Sequence, residues 1–121
     1  MARTVLIVDD DALTLRLLRA RLKSAGYEVV EAQSGEQAIK EAAEREIDAV
    51  VMDIMLPDMD GAEVVSVLKQ QQNFKRTRVV FLSGIVSGQE EGGSELLVGG
   101  ENFPAIGKPV DVERLLELLE G

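Results

Sequence analysis

The feature that most constrains this chain is a run of apolar, β-branched residues that stops abruptly on an acid, and it occurs twice. Residues 4–8, TVLIV, halt at Asp9, Asp10 and Asp11, and residues 49–52, AVVM, opened by Asp48, halt at Asp53. Each run has the length and composition of a buried strand. After Asp53 come Pro57, Asp58, Asp60 and Gly61, turn chemistry that ends the strand and reverses the chain into a new helix near Ala62. Asp53 therefore sits where a strand meets a loop, and in open α/β sheets that edge is where ligands bind.

Between these runs the apolar residues switch to helical spacing. Leu15, Leu18, Leu22 and Ala25 mark a helix over residues 12–25, and Gly26 supplies its stop. Residues 27–32 read as a second strand. Ser34 with Gln37 makes a capping box for a helix carrying Ala38, Ile39, Ala42 and Ala43. Asp60 with Glu63 caps a third helix whose stripe is Val64, Val65 and Leu68. A fourth strand over 78–82 ends on Ser83 and Gly84, and a fifth over 103–106 is followed by Lys108 and Pro109. Asp111 then caps a last helix with Val112, Leu115, Leu116 and Leu119 facing inward. Glycines at 88, 92, 93, 99 and 100 argue against a firm helix before the fifth strand, since each interior Gly costs about 1 kcal/mol relative to Ala. A short or mobile helix around 94–98 is expected there. Five βα units imply a parallel sheet covered on both faces, with right-handed crossovers.

At 121 residues the chain predicts one domain, residues 1–121. Thirteen Lys and Arg against 22 Asp and Glu give a net charge of −9, a poor footprint for phosphate backbones, so direct nucleic-acid binding is not expected. The chain has no Cys and hence neither disulfides nor thiolate chemistry. The apolar runs are only of strand length and the N-terminus lacks a signal peptide's layout, so neither export nor membrane spanning is indicated and a cytoplasmic location is expected. Three Phe, one Tyr and no Trp leave little surface for stacking bases or sugars, which points to a protein as partner.

Placing the first, third, fourth and fifth strands in one parallel sheet brings Asp9, Asp10, Asp53, Ser83 and Lys108 to the same carboxyl-end edge. Three clustered carboxylates raise one another's pKa unless a cation is present. Mg²⁺ prefers a few carboxylate oxygens, waters and a phosphate, so the cluster reads as a Mg²⁺-assisted phosphoryl site. Lys108 would offset charge on phosphoryl oxygens and Ser83 could donate a hydrogen bond to one. A carboxylate in such a site can itself be the nucleophile, forming an aspartyl phosphate. Taken alone, Asp9, Asp10 and Asp11 read equally well as a solvated turn with Asp11 capping the first helix. Asp53 and Lys108 shift that balance, while Asp58, Asp60 and Gly61 read as turn and capping residues. Two competing motifs fail. An EF-hand with Gly61 at its sixth position would place Leu56 and Val67 where carboxylates are needed. The DxDG signature of haloacid-dehalogenase-type phosphatases, at 58–61, should follow a buried strand, yet Pro57 precedes it.

The set LIVDDD at 6–11, MDIMLPDMDG at 52–61, FLSG at 81–84 and KP at 108–109, in this order and on these strand ends, resembles the receiver domains of two-component response regulators over essentially the whole chain. The resemblance implies a flavodoxin-like, doubly wound (βα)5 fold with a five-stranded parallel sheet in the order 2-1-3-4-5. It implies that Asp53 is the phosphoacceptor, Asp10 a direct Mg²⁺ ligand, Asp9 a carboxylate holding the metal through water, and Met55 the donor of a backbone carbonyl. Ser83 and Lys108 match the family's hydroxyl and lysine, Gly84 its small residue beside the phosphoryl group, and the Lys108–Pro109 bond is expected to be cis. The implied donor is a histidine kinase or phosphotransfer protein. The output would pass to an effector domain, a downstream protein or a second copy of the chain as a homodimer. The function expected is a phosphorylation-controlled signalling module rather than an enzyme. A small Mg²⁺-dependent phosphatase working through an aspartyl phosphate, and a degenerate receiver that only binds partners, are the alternatives. The chain departs from the family at Ala105, where an aromatic residue often stands three positions before the lysine. Residues 85–102 are therefore expected to carry the signal by an order–disorder change instead of a rotamer change.

Overall fold

In the computed structural model, which describes residues 2–71, 74, 76–84 and 94–120, the two acid-terminated runs become neighbouring parallel strands. β1 (Thr4–Val8) pairs with β3 (Ala49–Asp53) so that Val8 lies opposite Met52. β2 (Glu28–Ala32) flanks β1, β4 (Arg78–Ser83) flanks β3, and β6 (Glu101–Gly107) flanks β4, all in parallel. Alternate residues of each strand serve opposite faces, which is why the runs are apolar throughout. Val5, Ile7 and Val51 pack with Leu15, Leu18 and Leu22 of α1 (Ala12–Ser24) and with Val112, Leu115 and Leu119 of α4 (Val112–Glu120). Leu6, Val8, Val50 and Met52 pack on the other side with Ala38 and Ala42 of α2 (Gly35–Glu44) and Val64, Val65 and Leu68 of α3 (Gly61–Lys69).

The helix ends follow the capping chemistry. Asp11 accepts the Leu13 N–H, Asp60 and Glu63 form a reciprocal capping box, and Asp111 accepts the Arg114 N–H at 3.2 Å. Gly26, at φ +98°, follows the end of α1. Ser34 accepts the Gln37 N–H as expected, but the Gln37 side chain reaches back to Gln33, one residue outside the box. Ala43 is exposed and Leu116 only half-buried, so the inward stripes of α2 and α4 are narrower than the spacing predicts. No helix among the described residues is long and apolar enough to cross a membrane.

Where the sequence predicts a short helix over 94–98, the chain forms a strand. β5 (Ser94–Val98) runs antiparallel to β6, and the sheet has six strands in the order β2-β1-β3-β4-β6-β5 with four helices among the described residues. The (βα)5 pattern and the order 2-1-3-4-5 are corrected accordingly. Val98 pairs with Glu101 across Gly99 and Gly100, whose φ values are +58° and +84°. Positive φ at both central positions is the requirement of a two-residue type I′ hairpin, and Gly-Gly meets it without steric cost. The glycines that disfavour a helix thus specify a hairpin. Leu96 and Val98 pack half-buried against the α2 and α3 side of the sheet, while Leu97 on the opposite face is 65% exposed. Residues 85–93, on which much of the expected order–disorder change falls, lie outside the described residues.

Candidate functional site

Parallel pairing brings four strand ends to one edge. Asp9 follows β1, Asp53 is the last residue of β3, Ser83 the last of β4, and Lys108 follows β6. Backbone hydrogen bonds continue past the strands and fix each position. The Asp9 N–H donates to Ala32 O at 3.1 Å, Ile54 N–H to Leu82 O at 3.0 Å, and Lys108 N–H to Ser83 O at 3.0 Å. The Lys108–Pro109 bond is cis, as expected.

The Asp53 carboxylate is buried and held by both oxygens. Oδ2 accepts from Lys108 Nζ at 2.8 Å, and Oδ1 accepts from the Met55 N–H at 3.1 Å. Asp9 is buried as well: its Oδ1 accepts the Asp11 N–H at 2.9 Å, while Oδ2 lies 2.9 Å from Lys108 Nζ in an ion pair. Asp10 is exposed, and the three acids Asp9, Asp10 and Asp53 each bring a carboxylate oxygen to within 4.8 Å of the others. Burial pushes the Asp53 carboxyl above its ordinary 3.8 and the charge of Asp9 adds to this, with Lys108 and the Met55 N–H pulling the other way. For Lys108 burial acts against the charged form. The hydrogen bond to Asp53 and the contact with Asp9 outweigh it, and the ammonium is held above its ordinary 10.5. Ser83 is buried at the end of β4, opposite Gly107. Gly84 is exposed, and a Cβ there would meet nothing within 4 Å.

The donor set fits a hard divalent cation. Three oxygen ligands converge, and Asp9 Oδ2 is a buried carboxylate oxygen that has no hydrogen-bond partner among the described residues beyond its ion pair, so one ammonium serves two buried acids. Asp9, Asp10 and Asp53 are the residues that would hold such an ion.

Two residues read as turn formers do more than turn. The Gly61 N–H donates to Ile54 O at 2.6 Å, and a Cβ at position 61 would overlap the Asp53 carbonyl oxygen, so only glycine lets α3 start against the end of β3. Asp58 leaves its own loop altogether: its two oxygens accept the N–H groups of Gly35 and Glu36 at 2.8 and 2.9 Å. Partners 23 and 22 residues away carry no local sequence signal. At the departure from the family, Ala105 is buried opposite Phe81, and Phe103 meets the Phe81 ring edge to face at 5.9 Å.

Comparison with known proteins agrees with this geometry. The family model described as the response regulator receiver domain matches residues 5–120. The polar-differentiation response regulator DivK of Brucella ovis is 31% identical over 120 residues, covering 99% of this chain and 95% of that protein. The chemotaxis response regulator CheY4 of Vibrio cholerae superposes with a TM-score of 0.83 at 27% identity, over 99% of this chain and 98% of the other. A CheY-like receiver domain from Methylobacillus flagellatus gives 0.80 at 26% identity, over 99% and 98%. A parallel sheet with acids, hydroxyl and lysine at one edge, matched over nearly its whole length, places this chain in the family of response regulator receiver domains.

Proposed function

We propose that residues 1–121 act as one receiver unit in which Asp53 accepts the phosphoryl group, with Mg²⁺ held by Asp9, Asp10, Asp53 and the backbone carbonyl of Met55. Receiver domains are phosphorylation-controlled signalling modules that interact with histidine kinases or phosphotransfer proteins. The observation that carries the assignment is the Asp53 carboxylate: buried, gripped by Lys108 and the Met55 N–H, and within ligand distance of two further acids.

An Asp53 oxygen forms a bond to phosphorus as the bond from phosphorus to the donor's imidazole nitrogen breaks, and the electron pair leaves with the imidazole. Met55 and Lys108 hold the carboxylate in a fixed orientation for this attack. Lys108, charged across the neutral range, faces the negative charge that gathers on the phosphoryl oxygens, and Ser83 donates to one of them. Asp9, Asp10 and Asp53 would hold a Mg²⁺ ion whose chemistry there would be Lewis-acid stabilisation of phosphoryl charge. The module passes its state to an effector domain, a downstream protein or a second copy of itself in the cytoplasm, without turning over an external substrate.

Incubation with acetyl phosphate, with and without Mg²⁺, followed by intact-mass measurement, tests the assignment. One phosphoryl adduct is expected, dependent on Mg²⁺ and absent from Asp53→Asn; an adduct that survives Asp53→Asn sinks it. Asp10→Ala should weaken Mg²⁺ binding, because one hard oxygen ligand is lost. Steady release of nitrophenol from p-nitrophenyl phosphate would favour a phosphatase instead.

A further inference from the structure

The loop between β3 and α3, residues 54–60, is tied at its start to β4 by the Ile54 N–H to Leu82 O, and is closed on itself by the Gly61 N–H to Ile54 O and a bridge between Met55 and Asp60. Its tip is tied to α2. Asp58 sets its carboxylate on the first two N–H groups of α2, at 2.8 and 2.9 Å. These hydrogen bonds hold Asp58 below the ordinary 3.8, and the helix dipole favours the same charge. Its neighbour Met59 lies against the same turn. A Cβ on Gly35 would come within 2.9 Å of Met59 Sδ and 2.8 Å of Val64 Cγ2, so a side chain at 35 would have to displace them. The loop tip is thereby locked onto α2 by two hydrogen bonds and one tight packing contact.

An ordinary staple would serve only the stability of α2. Asp58, however, stands three residues from Met55, whose N–H orients Asp53 Oδ1, and α2 has its own cap in Ser34, which takes the Gln37 N–H at 3.1 Å. We infer that Asp58 is a positioning residue for the phosphoacceptor site: docked on α2, it fixes the loop that orients Asp53 and presents the Met55 backbone to the cation. The inference rests on the Mg²⁺-assisted role proposed for that site. It links the site to α2, an element that contributes no residue to the chemistry.

The test is a Mg²⁺ titration followed by amide chemical shifts, together with phosphorylation rates from acetyl phosphate at limiting and saturating Mg²⁺, for the wild type, Asp58→Ala, Asp58→Asn and Ser34→Ala. Asp58→Ala is expected to bind Mg²⁺ roughly tenfold more weakly, the lower end of what losing an outer partner of a metal ligand costs. Its rate should fall in proportion at limiting Mg²⁺ and return to near the wild-type value at saturation. Asp58→Asn keeps one oxygen acceptor and should recover part of the loss. Ser34→Ala removes the other cap of α2 and should leave Mg²⁺ affinity unchanged. The inference is overturned if Asp58→Ala binds Mg²⁺ within about twofold of wild type, or if Ser34→Ala weakens binding as much as Asp58→Ala does. A wild type that fails to bind Mg²⁺, or an Asp53→Asn variant that is still phosphorylated, overturns the underlying reading as well, whatever the Asp58 variants do.

Discussion

The centre of the sheet and its β5 edge are built on different physics. At β1, β3 and β4 every strand is buried on both faces, its partners lie far away in sequence, and its carboxyl end delivers a functional residue. At β5 the pairing is local, closed by a two-residue turn, and the strand buries Leu96 and Val98 only partly while leaving Leu97 to solvent. Both regions feed the same apolar cluster beneath α2 and α3. The difference teaches that the meeting of these strand ends depends on the parallel frame and not on β5: a hairpin stands where a helix is expected, and Asp9, Asp53, Ser83 and Lys108 still meet at one edge.

The sharpest way to break this comparison is to remove equal side chains from the centre and from the β5 edge. Leu6, fully buried in β1, should cost about 2–5 kcal/mol on truncation to Ala, through lost transfer energy and the cavity left behind. Leu96→Ala, on the half-buried strand β5, should cost about 1 kcal/mol, near the centre of ordinary point substitutions. Leu97→Ala, at 65% exposure, should fall within about 0.5 kcal/mol. Urea unfolding of the three variants measures all of this. A Leu96 loss as large as that of Leu6 would make the hairpin part of the central core.

A smaller effect isolates the frame from the hydrophobic core. Gly61→Ala inserts one methyl against the Asp53 carbonyl oxygen, backbone that cannot yield without moving the end of β3. Overpacking of this kind costs about 1–3 kcal/mol. Because the displaced residue is Asp53 itself, Mg²⁺ affinity should fall along with stability, whereas Leu96→Ala should leave Mg²⁺ affinity unchanged. Calorimetric Mg²⁺ titration separates the two, and a Gly61→Ala protein with wild-type affinity would show that the loop tolerates the shift.

The same division explains what was legible beforehand. Strand runs that end on acids, and the stripes of α1 and α3, carry their signal locally, so Asp9, Asp10, Asp53, Ser83 and Lys108 could be placed at one edge from the chain alone. Gly99 and Gly100 were also legible in principle, because Gly-Gly between two apolar runs is a hairpin signal. Their low helical propensity and their turn preference point the same way, and only the second names the element formed. Asp58 was beyond reach of any local pattern, since its partners at 35 and 36 become neighbours only once α2 and α3 pack side by side. The close approach at Gly61 likewise needs the end of β3 in place before a methyl there has anything to strike.

The smallest expected effect concerns two carboxyls five residues apart whose contributions to stability have opposite signs. Asp58 is held below the ordinary 3.8 by the Gly35 and Glu36 N–H groups. The unfolded chain therefore takes up its proton first, and the stability Asp58 contributes is full above 3.8 and is lost as pH falls through the folded value. Asp53 is pushed above 3.8 by burial and by Asp9. The folded chain binds that proton more tightly, so the ionised carboxylate destabilises the metal-free fold at neutral pH, and this penalty fades as pH falls towards 3.8. In the absence of Mg²⁺, Asp53→Asn should then be more stable than wild type at neutral pH, with the gap closing in acid. Asp58→Asn should be less stable at neutral pH, with its gap also closing below 3.8. Mg²⁺ should stabilise the wild type and not Asp53→Asn, because an ion bound only by the folded state shifts the equilibrium by mass action. Urea midpoints across this pH range, with and without Mg²⁺, report both signs. Two gaps of the same sign at neutral pH would mean that the grip of Lys108 on Asp53 outweighs the cost of burying it.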